Sequence, residues 1–220
     1  MNEFLVVKFL HVVGFAYWLG ADLGVFYTSY YVVDEKLSDE VRLASAKILF
    51  ALDQAPRICM TMMLPLGLHL LWRMNILPYD AVVMALIWIL CFAWLAMVIA
   101  LHVARPSRAK AGLTRFDFWF RLILALDLIA MGLVALLTDM IAMPDWAALK
   151  IAIFGGLVGC GLIVRIRLKP FGPAFANLAA GRASDADNAA IRNSLNGTRP
   201  FVIAIWAGLL ASTALGLHLF

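Results

Sequence analysis

The chain has 220 residues, 64% of them hydrophobic, with a mean hydropathy of +0.91, against roughly 45 to 50% apolar in an ordinary soluble domain. That composition excludes a water-soluble globule. The net charge is +4, and the eighteen lysines and arginines gather in alternate gaps between apolar runs, so membrane topology and lipid headgroups account for the basic balance and no nucleic-acid site is expected.

About 20 apolar residues cross a bilayer, and six such stretches occur, at 4–33, 57–77, 81–104, 118–143, 147–164 and 201–220. The expected fold is all-α, a single transmembrane domain built as a polytopic helical bundle of about six membrane helices, because lipid forces each backbone group to pair within its own helix. The first span lacks the basic start and small-residue cleavage site of a secretory leader and is expected to stay on the protein. It carries His11, Gly14 and, in its inner half, Asp22.

Ser38 opens a cytoplasmic helical segment, about 38–55, that runs to a break at Pro56. The second span then brings a soft cluster, Cys59, Met60, Met62 and Met63, followed by Pro65, Gly67 and His69. Pro65 removes a backbone donor and leaves the Thr61 carbonyl without its usual partner, which predicts a kink below His69. The third span ends at His102, and the fourth holds Arg121, Asp127 and Asp139. The fifth contains Gly155, Gly156, Gly159 and Gly161, which permit close helix approach. Between spans five and six, Phe171-Gly172-Pro173 reads as a turn, Ser184 with Asp187 as a capping box opening a short helix over about 184–196, and Asn196-Gly197 with Pro200 as its end. The sixth span carries His218. Cys59, Cys91 and Cys160 are odd in number, form no CxxC and imply no disulfide framework.

Lys36, Arg42, Lys47, Arg57, Arg105, Arg108, Lys110, Arg115, Arg121, Arg165, Arg167, Lys169, Arg182, Arg192 and Arg199 fall on one side of the spans; only Lys8, Arg73 and Lys150 fall on the other. The positive-inside bias assigns the fifteen to the cytoplasm, so both termini face the periplasm of a bacterial inner membrane.

All four histidines lie inside predicted spans, where a polar ring is costly unless bound or paired. At 1.5 Å per residue, His11 and His69 are both roughly 10 to 12 Å below the outer surface. Two imidazoles at matched depth on separate helices suit the axial positions of a b-type heme, with Gly14 and Gly67 leaving room for a porphyrin edge. His218, near the outer end, and His102, near the inner end, are alternative ligands. Asp127 and Asp22 are candidates for proton handling, Asp22 with His102 as a partner; Asp139 can meet Lys150 at the outer surface.

Lys8-Phe-Leu-His11 followed by Trp18-Leu-Gly20, a second span with Pro65 and Gly67, and a third ending Leu101-His102 together resemble a group of small bacterial membrane proteins. That group includes CopD-like copper-resistance proteins and HemJ-type protoporphyrinogen oxidases, and the resemblance covers about residues 4–130. It implies an inner-membrane bundle with outward termini and, on the HemJ side, heme b with His11 and His102 on the motif positions.

The resulting expectation is a heme b-binding membrane redox protein, a possible oxidoreductase, exchanging electrons with a membrane-soluble donor such as a quinol and with a periplasmic or membrane redox partner. The alternatives are copper movement along His11, His69 and the Cys59–Met63 cluster, soft sulfur favouring Cu(I), and a cofactor-free assembly subunit that docks through the glycine-rich fifth span.

Overall fold

A computed structural model describes residues 2–138 and 140–219 and shows eight helices among them: α1 (Glu3–Val33), α2 (Asp39–Leu52), α3 (Gln54–Arg73), α4 (Ala81–Val103), α5 (Arg108–Leu137), α6 (Asp145–Arg167), α7 (Phe171–Ala179) and α8 (Asp185–Gly216). The helix starts are written in local chemistry. Side-chain oxygens of Asn2, Ser38, Asp80, Ser107 and Ser184 each accept from a backbone N–H in the first turn, satisfying donors that have no partner inside the helix. Ser184 and Asp187 form the reciprocal capping box read from the sequence.

Six long helices close a ring in which each packs on the next, in the order α1, α3, α4, α5, α6, α8 and back to α1. Every one of them feeds the central core, through Trp18, Met60, Trp94, Val98, Ala125, Leu157, Val158, Ile205 and Leu209. The outward faces are apolar as well, with Phe9, Leu86, Ile123 and Leu137 all exposed. Apolar inside and outside together is the signature of a bundle solvated by lipid.

Five of these helices, α1, α4, α5, α6 and α8, are long and apolar enough to cross a membrane. The sixth predicted span, α3, is a 20-residue helix whose Pro56, Met60, Thr61, Pro65, Leu66, His69 and Leu71 are buried against its neighbours.

The short helices α2 and α7 close one end. Val32, Ala46, Leu49, Phe171, Ala174, Leu178, Ile191 and Leu195 form a separate core there. Arg42 is buried within this cap: its Nε donates to the Val32 carbonyl at 3.1 Å and its Nη2 to Asn188 Oδ1 at 3.0 Å. Arg42, one of the fifteen basic residues that the charge pattern puts on one side of the spans, thus satisfies a carbonyl at the C-terminal end of α1 and ties α1, α2 and α8 together.

Several predicted boundaries move. The break between α2 and α3 falls at Asp53, and Pro56 sits in the first turn of α3, where its missing N–H costs nothing. Helix α3 stops at Arg73 because Asn75 takes a left-handed φ of 56° while the Ile76 N–H reaches back to Leu71. Helix α5 starts at Arg108, ten residues before the apolar run, because Ser107 caps it. Phe171-Gly172-Pro173 opens α7 instead of forming a turn, the proline lying in the first helical turn. The predicted stop at Asn196-Gly197-Pro200 is absent: α8 runs unbroken from Asp185 to Gly216 with Pro200 inside it, so the expected short 184–196 helix and the last span are one element. Proline forfeits a single backbone bond, and flanking helix packed on α1 and α6 carries the chain through.

Candidate functional sites

Helices α1 and α3 run antiparallel, and the predicted histidine pair lies on their seam. A Cβ built on Gly67 would lie 3.4 Å from His11 Cε1, so the His11 ring lies against α3 at that glycine. His11 Nδ1 is buried without a hydrogen-bond partner among the described residues. Beside Gly14 the space is taken by Met63, whose Sδ would be 2.9 Å from an added Cβ. The two glycines therefore make room for His11 and Met63, neighbouring side chains of this chain itself.

His69, two residues past Gly67, is buried between Glu3 of α1 and Trp88 of α4. Its Nε2 lies 2.9 Å from Glu3 Oε1, and its Nδ1 accepts from the Trp88 indole N–H at 3.2 Å. This pairing assigns the proton to Nε2, which donates to the Glu3 carboxylate, since indole nitrogen can only donate. Trp72 and Trp88 stand edge-on to the ring, and Arg73 approaches the other Glu3 oxygen at 3.9 Å. Both ring nitrogens of His69 are thus engaged, and His69 would have to give up one of these bonds to hold a metal or cofactor. Of the two predicted ligands, His11 is the imidazole that would be free to hold a heme iron, and His69 is not.

The other sequence candidates are not brought to this seam. His102 is exposed on the last turn of α4, at the opposite end of the bundle. His218 is exposed beyond α8 and stands edge-on to Trp146. Asp22 is buried beside the Trp206 indole on α8 and within electrostatic range of Asp53; it does not meet His102. Asp127 lies on the outer, exposed face of α5. Asp139 falls outside the described residues. In the sulfur cluster, Met60 points into the core, with Sδ 3.9 Å from Arg121 Nη1, Cys59 and Met63 pack against the same core, and Met63 also faces Gly14 on α1. Among the described residues no group of three or more His, Cys, Asp or Glu side chains converges as a metal site. In the fifth predicted span, Gly155 packs tightly on α5, whereas Gly156, Gly159 and Gly161 have open space beside them.

A second polar centre, unforeseen in the sequence, occupies the seam of α5 and α6. Asp117 has a side chain only 2% exposed, and it accepts from Arg121 Nε at 2.9 Å and from Arg165 Nη1 at 2.6 Å. Arg165 Nη2 also donates to the Thr114 carbonyl at 3.0 Å, and the Arg121 guanidinium lies over the Trp94 ring. The spacing of Asp117 and Arg121, four residues apart on one helix, was the available signal. A span that begins at 118, as the apolar run predicts, leaves Asp117 outside the helix and hides that signal. Arg121 consequently faces Asp117 and not Asp127. A carboxylate held between two guanidinium groups can fix a helix seam, and its acceptor capacity is already committed.

No protein-family model, no curated protein and no solved structure matches the chain.

Proposed function

We propose that the chain is a multi-pass protein of a bacterial inner membrane, with both termini toward the periplasm, that holds heme b through His11 and passes electrons between a membrane-soluble donor such as a quinol and an outward partner. The observation that carries this reading is the His11 ring nitrogen: it is buried in an apolar bundle with no hydrogen-bond partner among the described residues. An unpaired polar atom in such an interior is costly, and an imidazole there is a ligand with an open position. The orientation rests on the basic residues, which crowd the end closed by α2 and α7.

Bound heme would supply one-electron chemistry at a potential set by its axial ligation and the surrounding polarity. The chain's own contribution is then positional. His11 is placed by Gly67, which lets α1 and α3 close around the ring. Glu3 and Trp88 hold His69 in one tautomer and orientation near the outer end of the same seam. The core aromatics Trp18 and Trp94 exclude water from the bundle centre.

The test is a reduced-minus-oxidised absorption spectrum of the purified protein, with heme quantified as the pyridine hemochrome, repeated on His11→Ala and His69→Ala. The expected result is a reducible Soret and alpha band in the wild type, lost in His11→Ala. A wild-type protein expressed with ample heme that shows neither band overturns the reading.

A further inference from the structure

Two polar side chains face outward in the apolar belt. Tyr17 is 66% exposed on α1, near the middle of that helix. Asp127 is exposed on α5, in a stripe with Phe116, Trp119, Ile123, Leu126 and Leu133. Its depth follows from α6: a Cβ on Gly155 would meet the Ala125 carbonyl and the Ile129 nitrogen, one on either side of Asp127, and Gly155 lies near the centre of α6. A carboxyl group facing lipid at mid-depth is strongly disfavoured, and tyrosine belongs at the headgroup level rather than at the centre.

Neither group finds a partner within the chain among the described residues. Other tyrosine hydroxyls and rings on α1 are engaged: Tyr27 and Tyr31 hydrogen-bond to each other at 3.0 Å, and Tyr30 lies under the Arg199 guanidinium at 3.7 Å. Asp127 is left without a cation because Arg121 is turned to Asp117.

The six-helix ring places α1 and α5 on opposite sides of the bundle. Copies inserted in one membrane share one orientation, so side chains at mid-depth on opposite faces come level when two copies stand side by side. Phenol donates to carboxylate, whereas Asp127 against its own copy would set two acids face to face. We propose that a second copy of this chain covers the outer face of α5, the Tyr17 hydroxyl of one protomer donating to the Asp127 carboxylate of the next. This contact is head-to-tail, and with donor and acceptor on opposite faces it can extend into rows.

The experiment places p-benzoylphenylalanine at Leu10, which is exposed two turns before Tyr17 on the same side of α1, in the full chain in its own membranes. Irradiation is expected to give a dimer adduct whose cross-linked peptide comes from α5. Tyr17→Phe and Asp127→Leu, both on lipid-exposed positions where folding does not depend on them, are each expected to lower the adduct yield about three- to twentyfold, the range of one interhelical hydrogen bond in a membrane. No dimer adduct, an adduct mapping to α1 or to the open glycines of α6, an adduct with a different protein, or a yield untouched by Asp127→Leu would each overturn the proposal. None of these readouts depends on bound heme.

Discussion

Arg165 Nη1 donates to Asp117 Oδ2 at 2.6 Å across the α5–α6 seam, while Arg121 Nε holds the other carboxylate oxygen at 2.9 Å. Removing the acid strands two guanidinium groups, one of them nearly fully enclosed. Asp117→Leu is expected to cost about 3 to 5 kcal/mol, the usual effect of breaking a buried pair. Arg165→Gln should cost less, because Arg165 is partly exposed and Arg121 still occupies Asp117. Thermal melting in mild detergent, followed by helical circular dichroism, measures the order of the two losses.

The same seam is closed by glycine. A Cβ on Gly155 would lie 2.7 Å from the Ala125 carbonyl oxygen, and one on Gly132 would lie 2.6 Å from that of Ala148. Backbone cannot yield as a side chain does, so Gly155→Ala should destabilise by roughly 1 to 3 kcal/mol. Gly156→Ala, with nothing near its added carbon, should leave the melting temperature within a degree or two. Equal effects at the two positions would refute the assigned seam.

His69 is protected twice, by Glu3 on Nε2 and by Trp88 on Nδ1. Trp88→Phe frees Nδ1, and Glu3→Gln replaces a charged acceptor by a neutral one. Acylation of His69 by diethyl pyrocarbonate, followed by mass spectrometry, should be several-fold faster in Trp88→Phe than in wild type. If heme is bound, the same variant should move the spectrum toward the low-spin, six-coordinate form, because a second imidazole nitrogen becomes open.

Orientation is testable with single cysteines in a chain whose native cysteines are replaced. Met74→Cys, just beyond α3, should react with an impermeant maleimide in spheroplasts. Arg182→Cys, between α7 and α8, should react only after permeabilisation. The reverse pattern would invert the assigned topology.

Much of the architecture could be read residue by residue. Ser38 and the Ser184–Asp187 pair set helix starts through bonds that span three or four residues, and such bonds depend only on local chain. Pro200 shows the opposite case. Its local message is to stop, yet α8 continues, because contacts along α1 and α6 outweigh one missing backbone bond.

The histidines divide along the same line. Linear order and the rise per residue place His11 and His69 together on the α1–α3 seam, but not which way each ring turns. Glu3 and His69 are 66 positions apart, Trp88 and His69 are 19 apart, and Asp117 and Arg165 are 48 apart. Such pairings depend on the rotation of each helix about its own axis. In α1, α4 and α5 apolar residues occupy every side, so periodicity carries little information about which side faces inward. Amino-acid order settles that this chain makes long lipid-soluble helices with their basic residues at one end. Side-chain packing across the ring settles which polar groups are satisfied, and among the described residues it leaves the His11 nitrogen, with Tyr17 and Asp127 on the outer faces, among the groups that lack a partner.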